Sequence, residues 1–152
     1  MTENEKVEKL IGLAKEGKTV RILGIGNSMR PLLHGGRDYI YFRALRDGES
    51  YQKGDVVLYQ WDGIYVMHRI ADIVPEGYIM LGDGNQFKEE PLSKDSIYLK
   101  AEGFLRNGRY ISVQNKLYRA YVSLWVTFWK LRPFVRRCKA ILNQVTGKER
   151  ER

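Results

Sequence analysis

The pattern of apolar and polar positions begins with a short helical segment near the N-terminus. Apolar residues recur at helical spacing from Val7 to Ala14. Thr2 followed by Glu5 has the arrangement of a capping box, and Gly17 comes soon after the last apolar position. The sequence therefore predicts a short amphipathic helix that packs on the body of the protein.

Residues 19–113 alternate short apolar runs with turn signals, which is typical of an antiparallel sheet. Asp62-Gly63 and Asn107-Gly108 each separate two apolar runs and supply the positive φ angles of a type I′ hairpin turn. Further strands are predicted for TVRILGI, DYIYFRAL and YIML. The predicted fold is mainly β, a coiled antiparallel sheet or partly open barrel.

Beyond this β-rich part, the spacing of apolar residues becomes helical again, first over 117–131 and then over 134–145. Pro133 separates the two stretches, because proline breaks or kinks a helix. We therefore predict two amphipathic C-terminal helices. The chain then divides into a body at 1–115, which includes the N-terminal helix, and a helical tail at 116–152.

The net charge of +8 lies entirely in this tail. The chain has 26 basic and 18 acidic residues, of which ten basic and two acidic lie in 116–152, so the body has 16 of each sign. Basic residues together with Trp125 and Trp129 suit the interface of an anionic membrane. We expect such a surface to meet 117–145, and we do not expect a nucleic-acid partner. The alternative is that these helices pack on the body with their charges in water.

Several function classes find no support in the composition. The single cysteine, Cys138, excludes an intrachain disulfide, and its place on the apolar stripe of the tail predicts a packed thiol. Two histidines and one cysteine do not make a zinc site, so we expect no metal and no cofactor.

The N-terminus has no apolar signal region, and the uncharged run at 120–129 is shorter than the roughly 20 residues of a spanning helix. We expect a cytoplasmic protein, attached to membrane at most peripherally.

Three residues have side chains suited to acyl transfer, namely Ser28, His68 and Asp83. Ser28 lies just beyond a predicted strand in the turn GNSMRP, which can expose a hydroxyl and leave backbone N–H groups free for an oxyanion. His68 shares a strand face with apolar residues, where an imidazole needs a partner and can act as a general base. Asp83, in the turn GDG, would orient His68. Each alone also fits an ordinary turn or core role.

These motifs occur together in the order Ser-x-Met-x-Pro, Gly-Asp-Val-Val, His-Arg-Ile and Gly-Asp-x-Asn between residues 24 and 103. In that order they resemble the type I signal peptidase family, and more narrowly the Ser-His branch of endoplasmic-reticulum and archaeal signal peptidases. The resemblance implies the coiled β-sheet of the signal peptidase/LexA type. It also implies Ser28 as nucleophile, His68 as general base, Asp83 as the supporting acid, and a peptide substrate bound as an extended strand.

The chain departs from this family at several points. Leu32 stands where the family usually has threonine, and we expect the usual N-terminal membrane anchor to be missing. The family often has a second acid a few residues beyond the Gly-Asp motif. Glu89 and Glu90 fall near that place, so the residue that supports His68 is left open between Asp83 and these two glutamates.

The sequence thus predicts a serine endopeptidase that cleaves leader or signal-like peptides from a precursor protein. One alternative is a LexA-like self-cleaving regulator. Such regulators have a DNA-binding module ahead of the peptidase domain and use lysine as the base, whereas here only residues 1–18 precede the first predicted strand. The other alternative is a non-catalytic module that keeps the fold and binds peptides.

Overall fold

A computed structural model describes residues 2–131, 133, 134, 137, 138 and 141. In this part of the chain, the helices and strands are α1 (Glu3–Lys15), β1 (Val20–Leu23), β2 (Tyr39–Arg43), β3 (Val56–Trp61), β4 (Ile64–Val74), β5 (Gly77–Leu81), β6 (Ile97–Arg106), β7 (Arg109–Ser112) and α2 (Lys116–Thr127). Single turns of 3₁₀ helix lie at Lys94–Ser96 and Trp129–Leu131.

All seven of these strands belong to one antiparallel sheet. The order is β1-β2-β6-β3-β4-β5, and β7 pairs with the second half of β6. The two end strands of this order, β1 and β5, do not pair with each other, so the described sheet is not closed into a barrel. The prediction of a mainly β fold with an antiparallel sheet and an N-terminal helix is confirmed.

The two tight hairpins form where the sequence predicts them. Asp62 and Gly63 connect β3 to β4 with φ angles of 47° and 75°, and Asn107 and Gly108 connect β6 to β7 with φ angles of 48° and 77°. Positive φ at both central residues gives a type I′ turn, whose twist matches that of the paired strands. The first turn fixes the register of β4 against β3 and therefore the place of His68.

The capping box of α1 is also confirmed. The Thr2 hydroxyl accepts a hydrogen bond from the Glu5 backbone N–H at 3.2 Å, and the Glu5 carboxylate accepts one from the Thr2 N–H at 2.8 Å. These bonds satisfy donors that a helix start leaves without partners. Ile11 and Ala14, on the inner face of α1, are buried in the core.

Two clusters of buried apolar side chains hold the sheet, one on each face. Along β3, Val56 and Leu58 belong to the first cluster, and Val57 and Tyr59 belong to the second, because successive strand residues point to opposite faces. The first cluster also receives α1, the residues that follow Ser28, and the start of α2. The second cluster lies against the segment that contains His68.

The C-terminal part differs from the sequence prediction in its extent. α2 begins after its N-cap Asn115 and ends at Thr127, and the second predicted helix at 134–145 lies largely outside the described residues. Tyr118 and Val126 of α2 are buried. None of the described helices has the length and hydropathy to cross a membrane. Cys138 is exposed, so the prediction of a packed thiol is wrong.

Candidate active site

Ser28 lies in a turn that begins four residues after the end of β1. The turn is closed by a hydrogen bond from the Arg30 N–H to the Asn27 carbonyl at 3.1 Å, and the Arg30-Pro31 peptide bond is cis. Met29 is buried in the first core cluster, whereas Ser28 is half-buried. The buried methionine anchors the turn and leaves the serine at the surface of the protein.

A second loop, at 82–85, packs directly against the backbone of this turn. The Gly84 N–H donates to the Ser28 carbonyl at 2.6 Å. A Cβ added at Gly82 would lie 2.5 Å from the same carbonyl oxygen, and one at Gly84 would lie 2.7 Å from the Asn27 carbonyl. Only glycine permits such an approach, so the two glycines of the Gly-Asp-Gly motif form the surface on which the Ser28 turn rests.

His68 lies on β4, opposite Val57 of β3, and its side chain is 9% exposed. It points to the same face of the sheet as Tyr59, which is diagonal to it across the hairpin. A histidine in such a buried place needs hydrogen-bond partners. The structure supplies two, the hydroxyl of Tyr59 and the carboxylate of Glu89.

The three side chains form a closed triangle of hydrogen bonds. His68 Nδ1 lies 2.5 Å from Glu89 Oε1 and 2.9 Å from the Tyr59 hydroxyl, and that hydroxyl donates to Glu89 Oε2 at 2.6 Å. A carboxylate only accepts, and the one proton of Tyr59 is given to Glu89. Nδ1 of His68 therefore carries a proton, and Nε2 is the ring nitrogen that these hydrogen bonds leave for another partner.

The electrostatics of the triangle keep Glu89 ionised. Burial by itself raises the pKa of this carboxyl, but hydrogen bonds from His68 and Tyr59 outweigh burial and lower the pKa from its usual range. Burial, and then the Glu89 carboxylate, raise the pKa of Tyr59. At neutral pH, Tyr59 is thus a permanent donor and Glu89 a permanent acceptor. The Glu89 backbone is held by a bond from its N–H to the Met80 carbonyl at 2.9 Å.

Asp83, the acid that the family resemblance implies beside His68, pairs with Arg69 instead. Arg69 Nε and Nη2 donate to its two carboxylate oxygens at 2.7 Å each, and both side chains are almost fully buried. Tyr121 donates to Asp83 Oδ2 at 2.8 Å, and Trp125 Nε1 donates to the Asp83 carbonyl at 2.9 Å. Asp83 therefore ties α2 to the loop beneath Ser28, and it is Glu89 that contacts His68. Glu90, the other open candidate, is exposed.

The alternation of β4 explains this exchange of roles. His68 and Arg69 are successive strand residues, so their side chains lie on opposite faces of the sheet. Asp83 follows β5 on the face of Arg69 and α2. The loop after Asp83 runs back along β5, where the Glu89 N–H bonds the Met80 carbonyl. Glu89 therefore lies on the face of His68.

The Ser28 turn packs on the loop that follows β5, and the last residue of β5 pairs with the neighbour of His68 on β4. Leu81 of β5 pairs with Arg69, next to His68, and three residues later Gly84 bonds Ser28. Within the described residues, no hydrogen bond joins Ser28 to His68. In the same part of the chain, the backbone N–H groups of Ser28 and Met29 donate no hydrogen bond, which leaves two donors beside the serine.

Two residues of this neighbourhood were not predicted. Tyr59 was within reach of sequence reasoning, because the two-residue turn fixes the register that places it diagonal to His68. Arg69 carried a signal as well, since an arginine inside the apolar run of a strand needs an acidic partner.

The comparisons with known proteins add no family to this picture, because no family model and no curated protein matches the chain.

Proposed function

We propose that this chain is a serine endopeptidase with Ser28 as nucleophile, His68 as general base and Glu89 as the acid that orients His68. The observation that carries the proposal is the hydrogen-bonded triangle of His68, Glu89 and Tyr59. It fixes one tautomer of a buried histidine, and the strand that pairs with its own strand leads to the loop that packs on the Ser28 turn. A purely structural histidine needs a partner, but it does not need a nucleophile's turn packed beside the same pair of strands.

In the proposed reaction, Ser28 Oγ attacks the scissile carbonyl and His68 Nε2 accepts the hydroxyl proton. Glu89 stabilises the imidazolium that forms, and His68 then gives the proton to the leaving amine. The N–H groups of Ser28 and Met29 are the candidate donors to the oxyanion. Loss of one such donor typically costs roughly 10²–10³ in rate. Water then releases the acyl group by the same steps, with His68 again as base.

The proposed substrates are leader or signal-like peptides of a precursor protein. The resemblance to type I signal peptidases, and the fold type that goes with it, support this class. β1 is an end strand of the described sheet and leads directly to Ser28. An extended peptide is therefore proposed to add to the free edge of β1 and so reach the nucleophile.

Cleavage of a panel of leader-like peptides by wild type and Ser28→Ala tests the proposal. The matched control is Ser123→Ala, which removes an exposed hydroxyl from α2. We expect wild type and the control to cleave equally and Ser28→Ala to be inactive. A serine-directed acylating probe should label wild type and the control, but not Ser28→Ala.

A protein that binds these peptides but neither cleaves them nor reacts with the probe would be a peptide-binding module. Cleavage that survives in Ser28→Ala would assign the nucleophile elsewhere. Self-cleavage of the full chain, without cleavage of added peptides, would favour the LexA-like alternative.

A further inference from the structure

Along α2 and the 3₁₀ turn that follows it, one side exposes a stripe of large apolar side chains. They follow each other at helical spacing and are 82%, 61%, 52% and 53% exposed at Leu117, Leu124, Phe128 and Leu131, respectively. We call these four residues the apolar stripe. The adjacent face of α2 is occupied, because Tyr118, Tyr121 and Trp125 contact the body. The stripe is thus a separate surface on a helix already fixed in place.

A basic cavity borders the start of this stripe. It has a volume of about 900 Å³, lies between the segment after Ser28, the β6–β7 hairpin and α2, and has Leu117 in its wall. Its cationic lining includes Arg37, Arg106 and Arg109. The Arg37 guanidinium is paired with buried Asp38 at 2.7 Å. Within the described residues, Arg106 and Arg109 form no ion pair, so their charges are available to an anion.

The apolar stripe and the arginines together favour one kind of binding partner over the others. A second copy of the chain in a two-fold interface would bring the same arginines and the same basic tails of net charge +8 close to each other. Nucleic acid would match the arginines but leave the leucine and phenylalanine side chains in water. An anionic phospholipid surface satisfies both features, since its phosphates meet the arginines and its acyl region takes the stripe.

We propose that the apolar stripe of α2, with Arg106 and Arg109 beside it, docks the protein on an anionic phospholipid bilayer. The docking does not depend on the proposed peptidase activity. The tail at 116–152 adds long-range attraction to the same negative surface, which a neutral body would not supply. The contact is interfacial, because the helix lies with one face toward the lipid and the other on the sheet.

The test is sedimentation of the full chain with vesicles of phosphatidylcholine alone or mixed with phosphatidylglycerol. We expect binding to the anionic vesicles only, weakened at high salt by screening. Leu117→Gln/Leu124→Gln should weaken the partition at least about tenfold, since two exposed leucines lose their burial in lipid. Ile64→Gln/Ile73→Gln is the matched control, because it removes two exposed isoleucines from β4 and should bind like wild type.

The contribution of the two arginines is tested by comparing two double variants. Arg106→Gln/Arg109→Gln and Lys6→Gln/Lys18→Gln change the net charge equally, but the lysines lie on and beside α1. We expect only the arginine pair to weaken binding several-fold. Equal weakening by both pairs would mean attraction by net charge alone and would overturn the proposed site.

Three other outcomes would also overturn it. These are absence of binding to anionic vesicles, full binding by the leucine variant, and a dimer in light scattering that the leucine variant converts to a monomer. Ser28→Ala should bind vesicles as wild type does. Loss of peptide cleavage and loss of lipid binding are therefore separate results.

Discussion

Glu89 Oε1 lies 2.5 Å from Nδ1 of His68, across 21 positions of the chain. The carboxylate, whose pKa is lowered, contacts Nδ1 and leaves the other ring nitrogen, Nε2, to face a substrate or nucleophile. It is the arrangement by which an acid fixes the tautomer of a catalytic histidine and stabilises its protonated form.

Glu89→Gln tests the orienting role of the carboxylate. The amide has no charge to stabilise the imidazolium, and it can offer an acceptor to only one of the two donors, His68 and Tyr59, that Glu89 accepts from. We expect kcat to fall roughly 10²–10⁴-fold with little change in KM. Glu90→Gln is the control, because this neighbouring glutamate is exposed and should keep full activity. Equal kcat values for the two variants would remove Glu89 from the mechanism.

Asp83→Asn tests the structural role of the buried ion pair with Arg69. The change leaves the guanidinium buried without its counter-ion, and we expect the free energy of unfolding to fall by about 3–5 kcal/mol. Asp47→Asn, on the exposed β2–β3 connection, is the control and should change stability little. Urea unfolding measures both variants. A stable but inactive Asp83→Asn protein would return Asp83 to the catalytic role that the sequence predicts.

Gly82→Ala tests the contact between the two loops. Its new Cβ would meet the Ser28 carbonyl at 2.5 Å, and the obstacle is backbone, so the Ser28 turn has to shift. We expect slower acylation of Ser28 by the probe and a lower melting temperature. Gly12→Ala is the control. A Cβ at this position would have no other atom within 4 Å, and alanine favours a helix more than glycine does. Unchanged acylation in Gly82→Ala would show that this loop does not position the nucleophile.

Asp38 provides a pH-dependent contribution to stability. Its buried carboxylate accepts hydrogen bonds from Arg37 and from the backbone N–H groups of His34 and Asn107, at 2.7 to 3.0 Å. The Arg37 hydrogen bond, with the backbone bonds, outweighs burial and lowers the pKa of Asp38 from its usual range. A lowered pKa in the folded state stabilises the protein above the unfolded pKa of about 3.9. This contribution is lost progressively as the pH falls below that value.

Asp38→Asn should therefore lower the free energy of unfolding by about 1.5–3 kcal/mol at neutral pH. In the variant, the free energy of unfolding should also decrease less steeply between pH 5 and pH 2 than it does in wild type. Unfolding curves of wild type and variant across this range measure both effects. Asp47→Asn should keep the slope of wild type, and an equal slope in Asp38→Asn would contradict the assignment.

The sequence determined the elements that depend on local backbone preferences. The turns at Asp62-Gly63 and Asn107-Gly108 and the capping box at Thr2 follow from φ preferences and hydrogen bonds between residues a few positions apart. Such signals are complete within a short stretch of chain. Ser28 and His68 were selected differently, by the joint order of several motifs, because the neighbours of each residue alone also fit an ordinary turn or core role.

Only the tertiary structure decided which acid meets His68. Asp83 and Glu89 are six residues apart and both acidic, but the loop between them passes from one face of the sheet to the other. Their partners, at 59, 68, 69 and 121, come from distant parts of the chain. The exposed face of α2 was decided in the same way. Its apolar stripe is visible in the sequence, but packing of Tyr121 on Asp83 determines which side of the helix is left to the surroundings.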